Sequence, residues 1–309
     1  YFLGDQLKHF NNKGYKEHII CSPSKEIEAY SKKKEFQYQE IPIVRRFSIR
    51  DDIKAIRGIR KYIKEKNIDI VVGHTPKGAL LAMIASWLEK VPKRIYFRHG
   101  LVFETSTGAK GKILKYADIF TAKLSTQIVN VSPSVSKKAI ELKLNKPEKQ
   151  VILSKGTCNG ISTSKFNAKN LSKSKCLQIK HSLKIPNDSF IIGYTGRLAK
   201  DKGIADLFLA FRYLKKKYKN IILLLVGFYE KRDALPQEII EEIQKDTQII
   251  VTGYVNYEEI EYYYSIMDVF ILPSYREGFP TSILEASAME LPIITTRATG
   301  CIDSIIENI

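Results

Sequence analysis

Short apolar runs alternate with longer stretches of helical periodicity along the whole chain. In the first half, "HIICS" (18–22), "IDIVVGH" (68–74), "RIYFRHG" (94–100), "TQIVNVS" (126–132) and "QVILSKG" (150–156) have the length and composition of strands. Between them, residues 51–66 and 77–89 repeat apolar positions at helical spacing. The second half restarts with "SFIIGYTGRL" (189–198) and a helix over 204–217. It continues with strands in "NIILLLVG" (220–227), "TQIIVTGYV" (247–255), "DVFILPS" (268–274) and "LPIITTR" (291–297). A continuous run such as "IILLLVG" suits a strand covered on both faces, as in parallel sheets.

Strand–helix alternation of this kind predicts an α/β protein of two doubly wound, Rossmann-like domains with a ligand crevice at the carboxyl ends of the strands. The polar, aperiodic "STSKFNAKNLSKSK" (162–175) is the linker candidate, giving domains 1–164 and 165–309. The chain opens on a helical pattern and stops on another, so a first strand and a final helix are expected to lie outside it.

With 309 residues, 44% of them hydrophobic, the chain can build two cores. Its net charge of +17 is unevenly placed: residues 1–164 carry +16 and residues 165–309 only +1. Such asymmetry points to an anionic partner of the first half or to a solvated lysine-rich surface. Cys21, Cys158, Cys176 and Cys301 lack CxxC spacing, which argues against a disulfide framework or zinc site and favours a reducing compartment. No run reaches the length of a membrane-spanning helix. A cytoplasmic protein is expected, with peripheral contact to the inner face of the cell membrane allowed.

Three loops carry candidate chemistry. In "GYTGRLAKDKG" (193–203), a strand runs through Gly196 into a helix start, with Arg197 and Lys202 on the loop. A guanidinium fork, an ammonium and helix-start amides suit a diphosphate. "TTRATGCIDSII" (295–306) repeats the strand–loop–helix arrangement around Gly300. In "REGFPTSILEAS" (276–287), Gly278 and Pro280 shape a turn that leaves amides around Phe279, Thr281 and Ser282 for ligand oxygens. Glu277 and Glu285 are hydroxyl acceptors, and a carboxylate among Leu284 and Ala286 needs a partner. Two acceptors and two phosphate cradles together describe a nucleotide-sugar.

The segment "PSYREGFPTSILEASAMELPIITTRATG", with "GYTGRLAKDKG", "VGFYEKRD", "VTGYV" and "NGISTSKF" in order, resembles the retaining GT-B glycosyltransferases of family four. It is most similar to bacterial enzymes that build capsule, O-antigen or other envelope polysaccharide on a lipid carrier. The resemblance implies that Arg197 and Lys202 bind the donor diphosphate, that Glu277 holds the donor sugar and that Glu285 accepts from ribose. It further implies that the backbone near Tyr254 and Val255 receives the base, and that Gly300 and Cys301 cover the phosphates. Gly4 would sit under the donor, His99 close to the transferred sugar, and His74, Lys77 and Glu104 toward the acceptor. His9, His18 and His181 lack a supporting pattern and are expected at the surface. Ser162 stands where the family commonly has aspartate, Glu290 where it has glycine and Asp303 where glutamate is frequent.

The activity so implied is transfer of a sugar, most simply from a UDP-sugar, to a hydroxyl of a glycan or polyprenyl-diphosphate-linked acceptor. The hexosyltransferase is expected to need no metal or other cofactor, its fixed cations neutralising the leaving diphosphate. An anionic membrane surface would explain the basic half. The competing classes are a UDP-sugar epimerase of the same architecture and a basic nucleic-acid-binding protein. No nucleic-acid module is recognisable, and the basic residues avoid the glycine-bearing loops.

Overall fold

Capping residues set the helices of the first half. Ser48, in extended backbone, bonds through its hydroxyl to the Asp51 carboxylate at 2.7 Å, and Asn67 closes the same helix in the left-handed region. The helix between them carries Asp51 and Asp52 in its first turn, where they complement the helix dipole. Pro76 and Pro133 occupy first helical turns, where a missing N–H costs nothing.

A computed structural model of the chain describes residues 6–307, except 26, 35, 45 and 158. It divides into the units Tyr1–Asn159 and Gly160–Ile309, slightly earlier than the join read from composition. The first unit contains α1 (Gln6–Asn12), β1 (His18–Cys21), α2 (Ile27–Lys34), β2 (Gln37–Glu40), α3 (Ile49–Lys66), β3 (Ile70–His74) and α4 (Pro76–Leu88). It continues with β4 (Lys93–Arg98), α5 (Gly108–Leu124), β5 (Gln127–Asn130), α6 (Pro133–Glu141) and β6 (Gln150–Ile152). All its strands pair in parallel, β1 with β2 and the others as β3-β4-β5-β6. Ala55, Ile59 and Ile63 of α3 meet Leu81 and Ala85 of α4 in one apolar cluster.

A charged group lies at the centre of this unit. Arg98, the last residue of β4, is fully buried. Its guanidinium donates to both Asp118 oxygens (2.6 and 3.3 Å), to Asn130 at 3.2 Å and to Asn145 at 2.9 Å. Tyr96 also donates to Asp118, at 2.8 Å. Lys149 donates to the carbonyls of Ala122, Lys123 and Ser125 at the end of α5, supplying a cation where the helix dipole is negative.

The second unit contains α7 (Lys173–Ser182), β7 (Phe190–Thr195), α8 (Ile204–Lys217), β8 (Ile221–Val226) and α9 (Gln237–Lys245). After these come β9 (Ile249–Val251), α10 (Ile260–Tyr264), β10 (Val269–Leu272), α11 (Thr281–Ala288) and β11 (Ile293–Thr295). Its parallel sheet runs β11-β10-β7-β8-β9. The winding reverses between β7 and β10, the position at which doubly wound sheets bind ligands. Every residue of β8 is buried, as its uninterrupted apolar run requires.

Three sequence expectations are corrected. The segment 162–175 is more than a linker: Phe166 is buried in the second core, and Ser172 caps α7, whose first turn lies inside the segment. Serine and lysine there serve a helix start rather than a flexible spacer. β2 was not expected, because "QYQE" is polar and its pairing with β1 leaves it mostly exposed. Parallel strands alternating with helices bear out the α/β reading of two Rossmann-like units, the first with its strands in two sheets that share no pairing among the described residues. His18, expected at the surface, is half-buried and hydrogen-bonds Tyr62 at 3.0 Å. Glu290 has φ 62°, the left-handed conformation that explains why glycine suits this position.

Candidate functional site

In the second unit, the chemistry collects at the carboxyl ends of β7, β10 and β11. After β7, Gly196 leads to Arg197, whose carbonyl accepts from the fully buried Tyr194 hydroxyl at 2.8 Å. Gly203 closes the loop at φ +68° and begins α8; a Cβ there would lie 2.1 Å from the Pro273 carbonyl oxygen. Only glycine satisfies both the angle and the close approach to the β10 loop.

That approach brings Lys202 to Glu277. Its ammonium donates to Oε1 at 2.6 Å, and Ser274 donates to the same oxygen at 2.7 Å. Both ionic side chains are largely buried. Beside them Arg276 binds the Asp201 carboxylate at 3.0 Å, and the Tyr275 amide donates to the Asp201 carbonyl at 3.0 Å. Asp233 anchors the far side by accepting from the Asp201 amide at 2.8 Å. The third loop joins through the Glu277 amide, which donates to Thr299 at 3.0 Å. Gly300, at φ +83°, lies so close to the Glu277 and Gly278 carbonyls that a Cβ would come within 2.6 Å of both. Three strand ends are therefore stitched into one cradle.

Glu285 sits on α11, and Pro280 caps that helix with Thr281 as its first residue. Its Oε2 accepts from Tyr264 at 2.8 Å, and the Tyr264 hydroxyl also meets Thr195 at 2.6 Å. Burial raises the Glu285 carboxyl above its ordinary range, opposed by the Tyr264 bond and the Lys165 charge. Arg197 is engaged by Glu230 at 3.0 Å, with its side chain 43% exposed. Tyr254 is exposed after β9, Val255 packs against the core, and Cys301 is buried with its thiol pushed up by burial.

In the first unit, His74 ends β3 and its Nδ1 lies 2.9 Å from Nε2 of His99, just past β4. Lys77 is paired with Asp52 of α3 and stands over the Phe47 ring. Glu104 lies 3.9 Å from Lys138. Gly4 falls outside the described residues. Among the described residues, no cluster of three or more His, Cys, Asp or Glu is placed to hold a metal.

The structure thus brings Lys202, Glu277, Gly278, Gly300 and their loops together, and likewise His74 with His99. Tyr194, Asp201, Asp233, Tyr264, Ser274 and Arg276 were not read from sequence. Tyr264 lay in "EYYYS", where three successive tyrosines give no sign of which one turns inward.

Two family profiles cover most of the chain: glycosyl transferases group 1 over residues 177–309 and glycosyl transferase 4-like over residues 1–132. The chain is 33% identical over 304 residues to the capsular polysaccharide biosynthesis glycosyltransferase CapM of Staphylococcus aureus, covering 98% of this chain and 77% of that protein. It is 26% identical to the Escherichia coli UDP-Gal:alpha-D-GlcNAc-diphosphoundecaprenol alpha-1,3-galactosyltransferase, covering 94% and 73%. Its fold is similar to that of Anabaena HepE in complex with UDP and glucose, with a TM-score of 0.76, 15% identity and coverage of 98% and 79%.

Proposed function

This chain belongs to the glycosyl transferases group 1 family, and we propose that it moves a hexose from a UDP-sugar to a hydroxyl of a lipid-linked glycan in envelope polysaccharide synthesis, retaining anomeric configuration. The observation that carries the reading is the cradle of Lys202, Glu277 and Gly300 at the strand ends where the second sheet reverses. The named activities of the capsule and diphosphoundecaprenol relatives support the class of acceptor, and the UDP held by HepE supports the donor.

In this reading the diphosphate rests against the Lys202 ammonium, the Arg197 guanidinium and the amides of Gly278, Phe279 and Thr281. As the sugar–phosphate bond breaks, negative charge grows on the β-phosphate, where these groups stabilise it. The acceptor hydroxyl attacks from the same face, and the departing phosphate takes its proton. Both bonds to Glu277 fall on Oε1, which leaves Oε2 for sugar hydroxyls. Tyr264 holds Oε2 of Glu285, which directs Oε1 to the ribose.

A thermal-shift panel of nucleotides tests the reading, because a ligand that binds only the folded chain raises its transition by mass action. UDP is expected to raise the transition, and a matching UDP-sugar to raise it further. Glu285→Gln keeps the shape but loses the ionised acceptor, so its UDP shift should be smaller. Because burial lifts the Glu285 carboxyl, the wild-type UDP shift should decline as acid protonates it, above the ordinary carboxylate range. A transition unmoved by every nucleotide, or an undiminished shift in Glu285→Gln, counts against the proposal.

The basic first half suits the proposed acceptor's surroundings. No helix among the described residues is long and apolar enough to cross a membrane. The outer face of α3 exposes Ile49 and Ile53 beside Arg50, Lys54 and Arg57, and α5 exposes Ile113, Tyr116 and Phe120 beside Lys110 and Lys112. Both helices pack on α4. Such a surface binds anionic lipid at about 1 kcal/mol per nearby cation. Co-sedimentation with vesicles containing phosphatidylglycerol is expected and should weaken with salt; equal pelleting with neutral vesicles would remove the membrane proposal.

A further inference from the structure

Two neighbouring ion pairs cross from the loop after β7 to the loop after β10. Lys202 meets Glu277 at 2.6 Å, and the residue before it, Asp201, meets Arg276 at 3.0 Å. The charges alternate along each loop, negative then positive at 201–202 and positive then negative at 276–277. A slip of one position would set Asp201 against Glu277 or Lys202 against Arg276, like charge against like. The pattern therefore specifies one register between the two loops.

Asp201 is the residue through which that register is held. Its amide donates to the Asp233 carboxylate at 2.8 Å, and its carbonyl accepts from the Tyr275 amide at 3.0 Å. Its carboxylate, in a side chain only 10% exposed, accepts from Nη2 of Arg276. One position earlier, the Lys200 amide donates to the Asp233 carbonyl at 3.0 Å. Backbone and side chain of Asp201 are thus bound to both neighbouring loops. Lys202 carries its charge at the end of a flexible four-carbon stem, so the ammonium is placed only as well as the loop beneath it.

From this geometry we infer that Asp201 is a positioning residue: it locks the β7 loop against the β10 loop and so places the Lys202 ammonium for the departing diphosphate. The inference rests on the proposed sugar transfer for its effect on turnover; the lock itself is a property of the fold.

The test has two arms on the full chain. Asp201→Ala removes the carboxylate and keeps the backbone bonds. It should lower kcat at saturating donor sugar by up to about 100-fold, the cost of misplacing a reacting group by about 1 Å. Asp201→Asn, which still accepts from Arg276, should recover part of that. A double-mutant cycle separates positioning from scaffolding. If Asp201 acts through Lys202, Asp201→Ala costs almost nothing further in the Lys202→Ala background. An equal loss in both backgrounds marks a merely structural role and overturns the proposal. Where Asp201→Ala fails to fold by thermal denaturation, Asp201→Asn enters the same cycle with the same expected non-additivity.

The second arm needs no sugar. Acetic anhydride labels lysines at rates that mass spectrometry reads, and the Lys202 side chain is only 15% exposed. Asp201→Ala should speed labelling of Lys202 several-fold, while Lys215, paired with Asp246 elsewhere in the same unit, keeps its rate. An unchanged rate at Lys202, or a rise at both lysines, overturns the lock. If the wild type transfers no sugar, the proposed function fails while the labelling still decides the lock.

Discussion

Lys202→Ala is expected to lower turnover by about 100- to 1000-fold, the typical cost of removing a group that stabilises charge developing in the transition state. The position earns this expectation from its surroundings. The ammonium is largely buried, is aimed by the Gly203 turn and is balanced by the Glu277 carboxylate. In a site screened from water, an ammonium beside a departing phosphate acts at a lower effective dielectric than at the surface. Arg197→Ala should cost less, because that guanidinium is more exposed and is shared with Glu230. The measurement is kcat at saturating donor with a folded-state check by thermal denaturation. Wild-type turnover in Lys202→Ala would remove the leaving-group role assigned to it.

The largest effect on stability is expected in the first unit. Asp118→Ala strands the Arg98 guanidinium in the core with only neutral amide partners, and breaking one side of a buried ion pair costs about 3–5 kcal/mol. Trp87, the chain's single tryptophan, lies on α4 of that unit and reports its unfolding by fluorescence in urea. The double variant Arg98→Met with Asp118→Leu should recover much of the loss, because apolar side chains of similar volume often replace a buried pair at little cost. An unchanged urea midpoint in Asp118→Ala would show that the charges are not held as described.

The strands were legible because burial on both faces demands uninterrupted apolar runs, as in β8. Their ends were less so. The run through Leu198 continues past β7 because Leu198 is itself core, bridged to Tyr229 outside the strand. β2 escaped notice because its pairing is carried by backbone, with side chains that carry no apolar signal. For the site, turn chemistry identified the loops and the resemblance assigned roles to them. The partnerships were hidden: Lys202 with Glu277 joins residues 75 positions apart, and Arg98 lay unremarked in "RIYFRHG" as one more cation. A buried arginine and a solvated one are the same letter, and only the carboxylate brought by α5 separates them.

Strand order has a consequence for synthesis on the ribosome. The sheet β3-β4-β5-β6 is laid down in the order in which its strands emerge, so each new strand finds its neighbour already made. The five-stranded sheet begins at its middle: β7 gains β8 on one edge at once, yet its opposite edge stays unpaired until β10 emerges more than 70 residues later. A nascent chain stalled before residue 269 would therefore hold a complete four-stranded sheet and an unfinished five-stranded one, the point of its manufacture at which a chaperone has most to cover.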